Sequence, residues 1–103
     1  ATCGEKRDAV YASVPTMLEA GYPTVIITGW SGLLGPAGMP GEVVNRLQAE
    51  VARHILSPEL KETIRRQGAE PVGSTPREFA AFIKAEAQKW SQVIKRAGLE
   101  YTQ

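Results

Sequence analysis

The chain has 103 residues, which is enough for one domain and too few for two. Hydrophobic residues make up 43% and charged residues 22% of the chain, so neither a disordered chain nor a fibrous repeat is indicated. The formal net charge is +1, and Lys and Arg are spread among Glu without a dense basic run, so we expect no nucleic-acid partner.

The single cysteine and the hydropathy of the chain exclude further classes. Cys3 has no second cysteine for a disulfide and no neighbouring Cys or His at metal-ligand spacing, so we expect a free thiol and no metal site. No apolar run approaches the roughly 20 residues of a membrane span, and the first residues lack the apolar core of a signal peptide.

The beginning of the chain is predicted to be the least regular part. Residues 1–13 mix charged and small residues without a sustained period, so we predict a loosely ordered lead-in to a unit that comprises residues 14–103. Thr16 and Glu19 have the spacing of a capping box, and Gly21 can end the helix that the box begins. These signals predict a helix of about one and a half turns.

The stretch from Thr24 to Pro40 is the segment around which the rest is organised. Its β-branched run, Val25–Ile27, has no polar alternation and predicts a strand covered on both faces. Glycines then recur at every third position, at Gly29, Gly32 and Gly35. Glycine next to a strand indicates a place where a ligand or another backbone comes close.

Three longer helices are predicted downstream, separated by Gly and Pro signals. They cover about 40–56, 57–67 and 76–97, and the last begins at a second capping box formed by Thr75 and Glu78. The apolar stripe of the first predicts a helix lying on a sheet. Residues 69–73 read as a short, irregular strand because Pro71 cannot donate to a ladder. Together these elements predict an α/β fold with one main strand, one short strand and three to four helices.

Two catalytic or nucleotide-binding interpretations of the glycine segment fail on spacing. Ser31 lies between glycines, as in a nucleophile elbow, but Leu33 occupies the position where that motif needs its second Gly. The only histidine, His54, falls inside an amphipathic helix with no Asp after Asp8 to orient it. The glycine spacing matches neither a dinucleotide loop nor a P-loop, so we expect no catalytic residue and no cofactor.

A weaker and more general possibility remains for the same segment. Backbone amides exposed by glycine, the hydroxyls of Thr28 and Ser31, and the indole N–H of Trp30 are all donors suited to a carboxylate. The alternative interpretation is that Trp30 belongs to the core and that the glycines only permit close packing. The residues alone leave these two interpretations equally open.

The order of short motifs along the chain resembles a known receptor family. The motifs are VPTMLEAGYP (14–23), GWSGLLGPAGMP (29–40), VVNRLQAEV (43–51) and GAEPVGSTPREFAAFIKAE (68–86), followed by a Trp-containing helix. Their succession resembles the carboxyl-terminal third of the tripartite tricarboxylate transporter solute receptors, the Bug-type periplasmic binding proteins. The likeness covers about Val14 to Gly98 and leaves residues 1–13 outside.

The resemblance implies a two-domain, Venus-flytrap receptor of which this chain would be a fragment. Such a receptor is periplasmic, binds a small carboxylate or related metabolite without chemistry, and passes it to membrane permease subunits. The Thr24–Pro36 segment would then cross between the domains near the ligand cleft. The resemblance and the available donors together give the candidate ligand-binding residues, which are Tyr22, Thr28, Gly29, Trp30 and Ser31.

Two departures from the family pattern and one alternative function accompany this interpretation. Met39 stands where the family usually has a small hydroxyl residue before the helix, and Gly35 stands where alanine is common. The alternative function is a small helical protein–protein interaction module. Because the apolar Val25–Ile27 run has little within the chain to pair with, the isolated fragment is also expected to self-associate or remain partly unfolded.

Overall fold

The structure, a computed structural model, describes residues 1–99 and contains three helices. The last four residues of the predicted 14–103 unit therefore lie outside the described residues. The helices are α1 (Gly41–Ile55), α2 (Pro58–Arg66) and α3 (Pro76–Arg96). Their bounds are nearly those predicted from the capping, proline and glycine signals, because these signals act locally on the backbone.

The ends of the helices show how the local sequence sets these bounds. At the start of α3, Glu78 donates its N–H to the Thr75 hydroxyl at 3.2 Å, and Thr75 donates its N–H to the Glu78 carboxylate at 2.8 Å. Gly98 follows α3 with φ +65°, a left-handed conformation that ends a helix at little cost for glycine. By contrast, α1 has no side-chain cap, because its N-cap residue is Pro40, one position after Met39, and proline has no side-chain acceptor.

The short helix predicted after Thr16 is replaced by hydrogen-bonded turns. The capping box itself forms, because Thr16 donates its N–H to Glu19 at 2.8 Å and Glu19 donates its N–H to the Thr16 hydroxyl at 3.2 Å. Gly21 then takes φ +92°, and the N–H of Tyr22 returns to the carbonyl of Met17 at 2.9 Å. The stop signal follows the start so closely that no regular helix fits between them.

The predicted main strand at Val25–Ile27 is absent, since no strand is found in residues 1–99. A strand requires a ladder with a neighbour, and this segment has few such bonds: Ile27 donates its N–H to the Cys3 carbonyl at 2.9 Å, and Val25 donates to Tyr22 within a turn. The α/β prediction is therefore wrong for the described residues, which form helices joined by irregular segments. Within this part of the chain, the apolar run has a single backbone bond to a distant segment, that of Ile27 to Cys3, and no ladder.

The predicted short strand at residues 69–73 is also absent, and a connection that crosses α1 takes its place. Gly73 has φ +63° and lies close to Ala52 and Leu56, so a Cβ at this position would be crowded. Gln48 of α1 donates to the carbonyls of Gly73 and Ser74 at 3.2 and 3.1 Å. These contacts fix the path between α2 and α3 with a side chain instead of a β-ladder.

The apolar faces of the helices are incompletely covered. No hydrophobic side chain in the described residues is fully buried. Thr16, at 2% exposure, is the only buried residue among them. The α1 stripe predicted to lie on a sheet is open, with Leu47 54% exposed, and no sheet lies under it within residues 1–99. The Cα radius of gyration is 16.8 Å, against about 13 Å for a compact domain of this size.

None of the helices within residues 1–99 has both the length and the hydropathy needed to cross a membrane.

Candidate ligand-binding site

The amino-terminal segment lies beside the glycine-rich stretch. Thr2 pairs with Thr16 in an isolated parallel bridge, in which Thr2 donates its N–H to Pro15 at 2.9 Å and Met17 donates its N–H to Thr2 at 2.8 Å. On the other side, the Cys3 carbonyl accepts the N–H of Ile27. Residues 2 and 3 are thus held between two other extended segments, although residues 1–13 were predicted to be loosely ordered.

An open recess of about 340 Å³ lies where these segments meet. This volume is at the lower end of the range for small-molecule sites, about 300–1,000 Å³. Its lining comes from residues 2–8, from the end of the apolar run and from the turn after α2: Thr2, Gly4, Lys6, Asp8, Ile27, Thr28, Gly29 and Gly68. We call it the Thr28 recess.

The Thr28 recess is lined by residues with hydrogen-bond donors and by two side chains of opposite charge, Lys6 and Asp8. No hydrogen bond within residues 1–99 uses the backbone N–H of Thr28 or Gly29. Lys6 makes no salt bridge to any described residue. The neighbouring Asp8 is engaged in a turn, where its Oδ1 accepts the N–H groups of Val10 at 2.7 Å and Tyr11 at 3.2 Å. Amide N–H groups near an unpaired ammonium group are suited to a carboxylate.

Trp30 has a packing role immediately after the recess. Its ring meets Phe79 edge-on at a centroid distance of 5.6 Å and Phe82 edge-on at 5.4 Å, an arrangement that aromatic rings favour. The Trp30 side chain nevertheless remains 46% exposed. Trp30 therefore attaches the glycine segment to α3 and still leaves part of its ring accessible.

Gly32 is needed for this attachment. A Cβ at Gly32 would overlap the ring of Phe79, with Cε1 at 2.8 Å and Cε2 at 3.0 Å from it. The Gly29 position has nothing within 4 Å of an added Cβ. The two glycines therefore differ: Gly32 permits close packing against α3, whereas Gly29 lies at the open edge of the Thr28 recess.

The recess brings together only part of the predicted site. Thr28 and Gly29 line it, whereas Tyr22, Trp30 and Ser31 are exposed but are not among its lining residues. The sequence interpretation missed four lining residues from the amino-terminal segment, namely Thr2, Gly4, Lys6 and Asp8. No local pattern marks them, because they reach the recess through contacts with residues more than twenty positions away.

Other candidate groups are already paired or isolated. Arg65, which could have clamped an anion with Arg66, holds Glu70 at 2.7 and 3.0 Å, and this hydrogen bonding lowers the pKa of Glu70. His54 is exposed, with Nδ1 at 2.9 Å from the Glu50 carbonyl. Across residues 1–99, no three His, Cys, Asp or Glu side chains are grouped so that they could hold a metal ion.

A recess lined by Thr28, Gly29 and Lys6 contains residue types whose N–H and O–H donors can bind a small anion. Residues 1–99 match the model of a protein family that is described as "Tripartite tricarboxylate transporter family receptor". The chain belongs to this family, which is one of receptors and not of enzymes. The match includes residues 1–13, so the expectation that the likeness begins near Val14 was wrong, and the segment carrying Lys6 is part of the family pattern.

Individual relatives agree with this assignment. The chain is 32% identical over 92 residues to Protein BugT of Bordetella pertussis, a match that covers 89% of this chain and 28% of BugT. It is 35% identical over 82 residues to the UPF0065 protein in the tcbD–tcbE intergenic region of Pseudomonas sp. strain P51, covering 79% of this chain and 24% of the relative. The chain thus spans about a quarter of the length of these two relatives.

A solved structure shows a similar arrangement within a longer chain. The structure of R. palustris Rpa4515 with adipate superposes with a TM-score of 0.82 and 34% sequence identity. The match covers 95% of this chain and 33% of that chain. The arrangement of α1–α3 and the segments before them is therefore that of one third of a larger protein whose structure includes a dicarboxylate.

Proposed function

We propose that this chain forms part of a periplasmic solute receptor of a tripartite uptake system, which binds a small carboxylate without chemistry and delivers it to membrane permease subunits. The single observation that carries this proposal is the Thr28 recess, one cavity that is lined by Thr28, Gly29 and Lys6. The family assignment and the adipate present with Rpa4515 support a carboxylate as the ligand class.

The chemistry of the recess suits a carboxylate better than a neutral solute. A carboxylate is an acceptor only, so it satisfies N–H and O–H donors without presenting a donor of its own. Hydrogen bonds between an ionised group and an amide are about twice as strong as those between neutral groups. Within the recess, Thr28 supplies a hydroxyl and a backbone amide, Gly29 leaves space for the ligand to approach its backbone, and Lys6 supplies the charge.

The recess is open on one side, which fits a site that is completed by another part of the receptor. Receptors of the Venus-flytrap type close two domains over the ligand by hinge motion. In this proposal the Thr28 recess is one wall of the cleft. Trp30, Ser31 and Tyr22, which are exposed close to it along the chain, become ligand contacts only when the other wall closes.

A helical interaction module remains the second candidate, and one observation favours it. Leu33 and Leu34 are 77% and 79% exposed on the segment between the recess and α1. Adjacent exposed leucines indicate a surface that another chain or domain covers. A receptor has the same need for coverage, so this observation alone does not separate the two functions.

The two candidate functions, a carboxylate receptor and an interaction module, differ in whether a carboxylate stabilises a protein that contains this sequence. We would measure thermal unfolding with adipate, succinate and citrate, and with uncharged hexanediol as a control. A ligand that binds only the folded state at a hundred times its Kd adds about 2.7 kcal/mol to the free energy of unfolding.

Two variants connect the effect to the recess. Lys6→Gln should weaken the carboxylate response, whereas Lys84→Gln, an exposed lysine on α3 outside the recess, should leave it intact. A receptor whose stability responds to none of these carboxylates, or whose response is the same with and without Lys6, would contradict the proposal.

A further inference from the structure

A hydrogen-bonded network on α3 lies directly behind the glycine-rich segment. The Glu86 side chain is only 16% exposed, and its two oxygens have different partners. Oε1 accepts from the ammonium group of Lys89, and Oε2 accepts from the indole N–H of Trp90 at 3.0 Å. These bonds hold the pKa of Glu86 below its usual range, chiefly through the hydrogen bond from Lys89.

Lys89 extends this network beyond its own helix. Its Nζ lies 3.5 Å from the carbonyl oxygen of Ile26, a residue 63 positions earlier in the chain. The ammonium group also lies 5.4 Å from the centroid of the Trp90 ring, within the range of a cation–π contact. Lys89 is therefore held by Glu86 and Trp90 in a position from which it donates to the apolar Val25–Ile27 segment.

The contact at Ile26 reaches both walls of the Thr28 recess. The next residue, Ile27, lines the recess and donates its N–H to the carbonyl of Cys3, whose neighbours Thr2 and Gly4 also line it. Thr28 and Gly29 follow immediately along the same backbone. Because no β-ladder holds Val25–Ile27 within residues 1–99, the bonds at Ile26 and Ile27 are the main restraints on this backbone.

We propose that Lys89 is a positioning residue for the ligand site. It does not touch the ligand, and it acts by fixing the Ile26 carbonyl so that the N–H groups of Thr28 and Gly29 face the recess. The effect of Lys89 on ligand affinity rests on the proposed function. Its effect on the backbone at Ile26 does not depend on any ligand. Within residues 1–99, the bond from Lys89 to Ile26 is the only hydrogen bond between α3 and the backbone of residues 25–28.

The opposing interpretation is that Glu86 and Lys89 form an ordinary pair on the surface of a helix. Exposed pairs three or four residues apart contribute little, and their removal changes little. The low exposure of Glu86 and the donation to Ile26 distinguish this pair from Glu50 and Arg53, which lie at the same spacing on α1 with both side chains more than half exposed.

The test compares variants of a receptor that contains this sequence. Lys89→Met removes the donor and keeps the length of the side chain, Lys89→Arg keeps a donor, and Lys84→Met is the matched control on an exposed part of α3. Two quantities are measured: amide hydrogen exchange without ligand at Ile27, whose N–H is bonded to the Cys3 carbonyl, and the Kd for adipate by calorimetry.

We expect Lys89→Met to speed exchange at the Ile27 amide and to raise the Kd by roughly three- to tenfold, as for the loss of one hydrogen bond. In Lys89→Arg, the exchange rate and the Kd should both be close to those of the parent receptor. Lys84→Met should change neither quantity. Exchange in Lys89→Met that matches the parent receptor would overturn the inference. If the parent receptor binds no carboxylate, the proposed function fails, and the exchange measurement alone decides whether Lys89 positions the segment.

Discussion

The close approach of Gly32 to Phe79 gives the sharpest test of how the glycine segment is attached to α3. Replacing Gly32 with alanine would place a Cβ at 2.8 and 3.0 Å from two ring carbons of Phe79 and closer still to a third. Carbon atoms in favourable contact are about 3.5–4.0 Å apart. Either the ring or the backbone of the segment must therefore move.

The magnitude follows from what the ring would lose by moving. Phe79 has an edge contact with Trp30 at 5.6 Å and a stacked contact with Phe82 at 6.4 Å. Each aromatic pair contributes about 0.5–1.5 kcal/mol beyond its buried area. Loss of both gives about 1–3 kcal/mol, which is also the usual cost of overpacking. We expect Gly32→Ala to lower the free energy of unfolding by about this amount.

Gly29→Ala is the matched control for this experiment. Nothing lies within 4 Å of a Cβ at Gly29, and Gly29 is not among the glycines with positive φ. The same substitution three residues earlier should change stability by no more than about 0.5 kcal/mol. Urea unfolding of a receptor that contains this sequence measures both variants. Equal stability of Gly32→Ala and Gly29→Ala would refute the close-packing argument.

Two further predictions concern pH and association. The hydrogen bond from Arg7, and then that from the N–H of Thr16, lower the pKa of the Glu19 carboxyl group. Glu19 therefore stabilises the folded state fully above about pH 4.3, the usual pKa of a glutamate. This stabilisation is lost as the pH falls through the lower pKa of the folded state. Glu19→Gln should flatten acid denaturation below that pH. The isolated 103-residue polypeptide should self-associate or unfold without cooperativity, because no described hydrophobic side chain is fully buried; sedimentation that finds a compact monomer with cooperative unfolding would contradict this.

The helices could be predicted from the sequence because their signals are local. The capping box at Thr75, Pro58 at the start of α2, and the glycines that follow α2 and α3 act on backbone within one turn and are found as predicted. Ser57 occupies the N-cap position of α2, but its hydroxyl donates to the His54 carbonyl and makes no capping bond. The spacing of Phe79 and Phe82 places both rings on one helical face, where Trp30 can meet them. The spacing does not predict that Trp30 is the residue that packs against these two rings.

The strand and half of the candidate site could not be predicted because they depend on distant residues. The β-branched run Val25–Ile27 has the composition of a buried strand, but a ladder needs a neighbour, and composition does not supply one. Lys6 lacks any distinguishing local pattern, and it lines the same recess as Thr28 in a part of the chain where the Cys3 carbonyl accepts the N–H of Ile27. Thr28 and Gly29, which the sequence indicates as candidate residues, line the recess, and their contact with a ligand stays a prediction.

The exposed apolar faces and the open recess have one explanation in common. The same chain path is found in a protein three times as long, with a TM-score of 0.82, so the path does not depend on these faces being exposed. If the rest of a receptor covered Leu47 of α1 and closed the recess, apolar burial would stabilise the α1 face, and the ligand would stabilise the recess. The network at Lys89 would connect the two, because α3 contacts α1 on one side and holds Ile26 on the other. Ligand affinity should then depend on how firmly α3 is packed, even though no residue of α3 lines the recess.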